Sequence, residues 1–282
     1  MLNALSAESL KMRRHRAAWF LVWIYPIVFT AVMLIAIGAG IGGFDPPARE
    51  TLQSWLENTA IIWILPGNSF GRYLIAAFVA VMFAGEYGWN TWKLIVPHRS
   101  RTTLIAAKYA TAVLLFLATF ALTAILTTIL TFADDLLTGD TIPAGVTAGA
   151  ILDIQFRVAL AALPPLLLTI AIASLAAVLT RSMVAALVVS VVVITIEQLI
   201  FTLGPVMSIR FPGLVSVLYP TLPGHHLSNL FEWIVEGKVV SRPFPNGTVV
   251  AYAWTTSLAV VAAWTAALVA ATFAVFKRQD IN

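Results

Sequence analysis

The chain contains no cysteine, which excludes disulfides, thiolate metal sites and thiol nucleophiles. Charge is scarce as well. Asp, Glu, Lys and Arg make up 11% of the 282 residues, roughly half the share a water-soluble domain carries. There is no His-Glu-x-x-His or His-x-x-x-His spacing, so a zinc site is not expected. A phosphate-binding loop is also missing. The Gly237-Lys238 pair has Glu232 where such a loop needs Gly and Val239 where it needs Ser or Thr, so the chain carries no ATPase motif of its own. No internal repeat or low-complexity tract stands out.

What is present in abundance is apolar. Hydrophobic residues make up 60% of the chain and the mean hydropathy is +0.91, an excess that calls for lipid as solvent. Six apolar runs follow one another: Trp19–Ile41, Phe70–Gly85, Tyr109–Phe132, Val158–Leu179, Met183–Leu203 and Val249–Phe276. Most reach the ~20 residues a helix needs to cross hydrocarbon. The second is short, and Arg72 near its start is expected to snorkel outward. The fold expected is all-α, one membrane domain over 1–282 with six transmembrane helices.

The basic pI of about 9.6 does not point to nucleic acid, because the bases sit in short loops and not on one face. They read instead as topology. Eleven of the 17 Lys and Arg residues fall on the side of the two termini, from Lys11, Arg13, Arg14 and Arg16 to Lys277 and Arg278. Both termini are therefore expected in the cytoplasm. The approach "MLNALSAESLKMRRHRAAWF" is too long and polar for a cleaved signal peptide. Residues 1–17 read as an interfacial helix on the cytoplasmic leaflet, with a disordered basic tail as the alternative. Residues 204–248 form a long outer segment rich in Pro and Gly. Re-entrant pieces and a small outer cap both fit it.

Four features carry candidate chemistry. The stretch 86–101, "EYGWNTWKLIVPHRSR", places Glu86, Asn90 and Lys93 on one helical face with Trp89 and Trp92 beside it. Either it anchors two helix ends at the headgroups, or it presents a polar face to a partner. Glu197, followed by Gln198, lies deep in the fifth run, where an unpaired charge is costly. It lines a substrate path or pairs with a base such as Arg157. Asp153 and Arg157, four apart, suit a local helix pair. Pro164-Pro165 should kink or break the fourth span, as a hinge or as a static bend. Adjacent His225 and His226 are expected on the outer cap surface.

The segment "EYGWNTWKLIVPHRSRTTLIAAKY" resembles the one that follows the second helix of ABC-2-type permeases. Glu86, Asn90-Thr91-Trp92-Lys93, Pro97, Arg101 and Ala107-Lys108 match in order, with Asn90 where glycine is usual. "AESLKMRRHRAAWFLVWIYP" resembles the amphipathic approach of the same family, and the bacitracin-resistance and lantibiotic-immunity branch is the most similar. The resemblance implies a bacterial plasma-membrane exporter subunit whose 86–101 element couples to a separate ATP-binding subunit through Glu86, Asn90, Thr91, Trp92, Lys93, Pro97, Arg99 and Arg101. ATP and Mg would be bound by that partner, and a second permease chain would complete the path. Two rivals are an ATP-independent carrier or channel centred on Glu197, and an intramembrane hydrolase, which would have to work without cysteine or a histidine pair.

Overall fold

Hydrocarbon offers no water to backbone groups, so a spanning chain must satisfy each donor and acceptor internally, as helices do. The computed structural model describes residues 2–42, 51–88, 92, 100–245, 247 and 249–279. Its helices are α1 (Leu2–Arg14), α2 (Arg16–Ile41), α3 (Leu52–Thr59), a 3-10 segment (Ile61–Gly67), α4 (Ser69–Gly88), α5 (Arg101–Thr138), α6 (Ala148–Thr180), α7 (Met183–Arg210), α8 (Pro212–Thr221), α9 (Pro223–Glu236) and α10 (Trp254–Arg278). Two short antiparallel strands, β1 (Ser241–Pro243) and β2 (Val249–Ala251), pair with Arg242 opposite Val250. Among the described residues, six helices are long and apolar enough to cross a membrane: α2, α4, α5, α6, α7 and α10. The chain is thus an all-α membrane protein with six candidate spans.

Burial separates the six. In α4 and α6, 67% of the most apolar window is buried, against 33% or less in the others. Those two helices form the centre, and α2, α5, α7 and α10 pack around them. Aromatic rings lock part of this centre edge to face. Tyr25 of α2 meets Phe120 of α5 at 5.2 Å, and Phe78 of α4 meets Phe116 at 5.1 Å. Trp63 of the 3-10 segment meets Phe120 at 5.8 Å. Such pairs add about 0.5–1.5 kcal/mol beyond burial.

Helix starts are set by hydroxyl caps that hydropathy does not register. Ser100 accepts from the Thr103 amide and Thr147 from the Ala150 amide, so α5 and α6 begin well before their apolar runs. A buried threonine row on α5, Thr119, Thr123 and Thr131, returns its hydroxyls to carbonyls four residues back. Thr127 reaches across to the Thr59 carbonyl at 3.0 Å. Gln155 donates to the same carbonyl at 2.9 Å and accepts from the Trp63 indole at 2.8 Å. These bonds pin α3 and the 3-10 segment to α5 and α6.

Pro164 and Pro165 do not break α6, which runs continuously from Ala148 to Thr180. At its far end Arg181 adopts a left-handed conformation, φ 54°, and Ser182 caps α7. Two residues thus turn the chain from one span into the next.

The segment beyond α7 forms a packed cap. His226 Nε2 donates to the Pro220 carbonyl at 2.8 Å, and Nδ1 meets the Ser257 hydroxyl at 3.0 Å. Asn229 bonds Tyr252 O, Ser257 Oγ and the Val240 amide. Trp233 stacks on Trp254 at 4.3 Å, tying α9 to α10. His225 lies between Tyr219 and Tyr252, at 5.2 and 5.4 Å. The expectation of two surface histidines is therefore corrected. Both are buried, because α9 turns its first two turns into the bundle.

Two tests follow from this packing. A Cβ at Gly71 would sit 2.0 Å from the Leu65 carbonyl oxygen, a backbone clash with no flexible neighbour to yield. Gly71→Ala should lower thermal stability by about 1–3 kcal/mol, read from the unfolding of the detergent-solubilised chain, and an unchanged midpoint would contradict the close approach. Burial, then the neighbouring His226 and Arg242 charges, lower the His225 pKa from 6.5 to about 4. The unfolded chain takes up this proton near pH 6.5 and the folded cap does not until about 4. Its contribution to stability is therefore complete above 6.5 and is lost as pH falls through that interval. Proteolysis of the cap should accelerate over the same window, and His225→Phe should flatten the response.

Candidate functional site

Charges inside an apolar bundle are expensive, so their placement is informative. An unpaired charge at mid-span costs on the order of 3 kcal/mol or more. The described spans hold two buried groupings of opposite charges, at different depths.

The first lies at the end of the bundle that carries both termini. Lys108, in the second turn of α5, is fully buried. It donates to Glu86 Oε1 at 2.9 Å, to Glu8 Oε2 at 3.1 Å and to the Met82 carbonyl at 2.8 Å. Lys11 of α1 also bonds Glu86. Among the described residues, two acids and two bases thus join α1, α4 and α5. Lys108 Nζ also stands 5.3 Å from the Trp92 ring centroid. Trp92 is buried and meets Phe276 of α10 at 4.5 Å.

Around this cluster the end of α10 is tied down. Arg101 Nη1 donates to the carbonyls of Phe276, Lys277 and Gln279, at 3.1, 2.9 and 2.6 Å. A cation on the last carbonyls complements the helix dipole. Tyr87 donates to Gln279 Oε1 at 2.6 Å, and Gln279 Nε2 donates to the Val178 carbonyl of α6 at 2.7 Å. Of the six spans, α4, α5, α6 and α10 contribute groups to this network, and α2 and α7 pack against those helices.

The second grouping lies within the spans. Arg72 of α4 donates through Nη2 to Glu197 Oε2 of α7 at 2.7 Å, and through Nε to Thr169 Oγ1 of α6 at 2.9 Å. Arg72 is fully buried and Glu197 5% exposed. The expected outward snorkelling of Arg72 is corrected: the guanidinium turns inward because Glu197 lies within reach. Glu197 pairs with Arg72 and not with Arg157, which instead meets Asp153 at 2.9 Å on the surface of α6. Next to Glu197, Gln198 lines a separate cavity of about 220 Å³ with Trp63, Asn68, Pro165 and Phe231.

Of the residues singled out in 86–101, Trp89, Asn90, Thr91, Lys93, Pro97 and Arg99 lie outside the described residues. Glu86, Trp92 and Arg101 are described, and each is bound inside the bundle: Glu86 to α1 and α5, Trp92 against α10, and Arg101 at the end of α10. Glu8, Lys11, Lys108, Arg72 and Thr169 were not picked out as partners. One signal for Arg72 was available. Counted from the terminal end, Arg72 lies sixteen residues into Ser69–Gly88 and Glu197 fourteen into Met183–Arg210, depths that differ by only about 3 Å at 1.5 Å per residue.

The run Gly67-Asn68-Ser69-Phe70-Gly71 has the Gly-x-Ser-x-Gly spacing of a hydrolase nucleophile elbow. It joins a 3-10 segment to a helix, where the elbow requires a strand. Asn68 Oδ1 caps α4 by accepting from the Gly71 amide at 2.8 Å. Among the described residues no histidine is bonded to Ser69. The turn is structural.

Residues 4–198 match the family model described as ABC-2 family transporter protein. The match runs from α1 through Gln198 and takes in both charged groupings, and the chain belongs to that family. It does not single out a branch. No curated protein and no solved structure matches the chain.

Removing one member of the intramembrane pair leaves an uncompensated buried charge, so Arg72→Met alone and Glu197→Met alone should each cost about 3–5 kcal/mol. The double variant should recover most of that loss. Unfolding of the four proteins in one detergent forms the cycle, and additive losses would mean that the two side chains do not interact.

Proposed function

We propose that this ABC-2 family chain is the membrane-spanning subunit of an ATP-driven exporter in a bacterial plasma membrane. Its 86–101 element would be the handle by which a separate ATP-binding subunit moves it. As a permease of this family it is a multi-pass membrane transport component and not itself the ATPase. ATP and Mg are assigned to the partner, and a second permease chain to the other half of the path. The end bearing both termini is assigned to the cytoplasm, on the weight of its eleven bases.

The observation that carries this reading is the wiring of the element. Glu86 at its start is tied through Lys11 to α1 and through Lys108 to α5. Trp92 in its middle packs on α10. Arg101 at its end holds the last carbonyls of α10. A displacement of Glu86, Trp92 and Arg101 would pull on α1, α4, α5 and α10, which coupling requires. The buried orientation of Glu86 refines its role: it transmits within the bundle, and contact with acids on the partner is assigned to Lys93 and Arg99, which lie outside the described residues. The rival carrier reading keeps Glu197 as its centre, and the same experiment separates the two.

The tagged chain should co-purify from mild detergent with a stoichiometric ATP-binding subunit and ATPase activity. Lys93→Glu and Lys93→Glu/Arg99→Glu should reduce both at least tenfold, with the permease eluting unchanged on gel filtration. A wild-type chain that purifies alone, stable and without ATPase would overturn ATP coupling. Because Glu86 is buried against two lysines, Glu86→Gln should keep the partner bound and lower substrate-stimulated ATPase, whereas loss of the partner would place Glu86 at the interface.

A further inference from the structure

A second apolar cleft, distinct from the one beside Gln198, opens beside Glu197. It has a volume of about 280 Å³ and runs between α6, α7 and α10. Leu168 to Leu179 form one wall, about 16 Å tall at the rise of a helix. Val189 and Val193 form the second wall, and Trp264 and Leu268 the third. Leu222 and Pro223 close the top, where the Trp264 indole donates to the Thr221 carbonyl at 2.7 Å. Glu197 is the one charged residue in this lining.

The state of that carboxylate decides what the cleft suits. Oε2 is taken by Arg72, while Oε1 is buried with no hydrogen-bond partner. On the other side of the same 2.7 Å bond, Arg72 uses Nε on Thr169 and leaves Nη1 buried and without a partner. The free acceptor and the free donor therefore each belong to a group that makes that bond, one covalent angle from the bonded atoms. Glu197 lines the cleft and Arg72 does not, so Oε1 is the unmet atom for a group in the cleft to satisfy. An unmet buried acceptor is costly, so a head that donates to it is favoured over hydrocarbon alone.

Charge narrows the class further. The guanidinium and the carboxylate already neutralise each other, and no other ionisable side chain lines the cleft. An ammonium or phosphate head would bring an uncompensated charge into hydrocarbon. A hydroxyl or primary amide instead donates one hydrogen to Oε1 and brings no charge.

We propose that the cleft at Glu197 binds a neutral amphiphile, an apolar chain ending in a hydroxyl or amide group, with Glu197 Oε1 as the acceptor for the head group and Arg72 as the charge that keeps the site neutral. This rests on the exporter reading and names the chemical class its path takes up. The test reads binding to the chain alone, so its failure would leave ATP coupling untouched, and loss of coupling would leave it standing.

Trp264 in the cleft wall serves as the reporter. Omega-bromoundecanol, its omega-bromo primary amide, bromododecane and omega-bromoundecyl trimethylammonium are titrated into the purified full-length chain in detergent micelles. The bromine-quenched fluorescence lost in Trp264→Phe is the signal of the site. The alcohol and the amide should reach half-saturation at a mole fraction about tenfold or more below that of the alkane and the ammonium, as one satisfied hydrogen bond to a charged group implies. In Arg72→Met/Glu197→Met, which keeps the cleft apolar, the preference for the polar heads should vanish while the alkane is unaffected. Equal quenching by alcohol and alkane in the wild type would overturn the proposal. So would stronger quenching by the ammonium, which would make Glu197 a counter-charge for cations, or a preference that survives in the double variant.

Discussion

The organisation of this protein depends on one constraint, that a charge taken into hydrocarbon must find its opposite there. Desolvation is repaid only when geometry and hydrogen bonds are good; the terminal grouping meets that condition for Lys108, while the intramembrane pair leaves Glu197 Oε1 and Arg72 Nη1 unmet. Lys108 has three acceptors within 3.1 Å. Arg72 has a carboxylate and a hydroxyl within 2.9 Å. Apolar packing in lipid carries little preference for one helix arrangement over another, because lipid tails are as apolar as leucine. The polar pairs supply the missing specificity. Arg72 selects α6 and α7 as neighbours of α4, and Lys108 selects α1 and α4 as neighbours of α5.

Much of this architecture was legible in the residues. The runs around Trp19–Ile41 and Met183–Leu203 have few charges and ample length, so their spans followed from hydropathy. Their partners did not. Hydropathy treats Arg72 as a charge to be expelled, whereas the outcome turned on whether an acid stood at the same depth on a neighbouring helix. Adjacency in three dimensions is what one sequence does not contain. The same holds for His225 and His226, whose polarity suggests a surface, until Ser257 and the Pro220 carbonyl are seen to meet His226.

The coupling stretch shows the limits from the other direction. Its acid, indoles and bases signalled an interface, and the described part of the interface is internal. Glu86 is buried against Lys108 and Lys11, and Arg101 holds the end of α10. A base followed by a helix start reads equally well as a partner contact or as a cap on another helix. Only the position of α10 distinguishes them, and α10 begins more than 150 residues later in the chain.

The two-residue turn between α6 and α7 has a mechanical meaning. Arg181 and Ser182 leave no slack, so at that end the two spans can pivot about the turn but cannot slide past each other. Farther along, Arg72 reaches both arms of this hairpin, through Thr169 on one and Glu197 on the other. The two bonds and the turn enclose a triangle, and in a triangle the sides cannot change independently. Opening the hairpin at the level of Arg72 requires one of its two bonds to lengthen first. The three residues would then register the separation of the spans as a bond kept or lost, making them a gauge for how far the half of the bundle remote from the termini has parted.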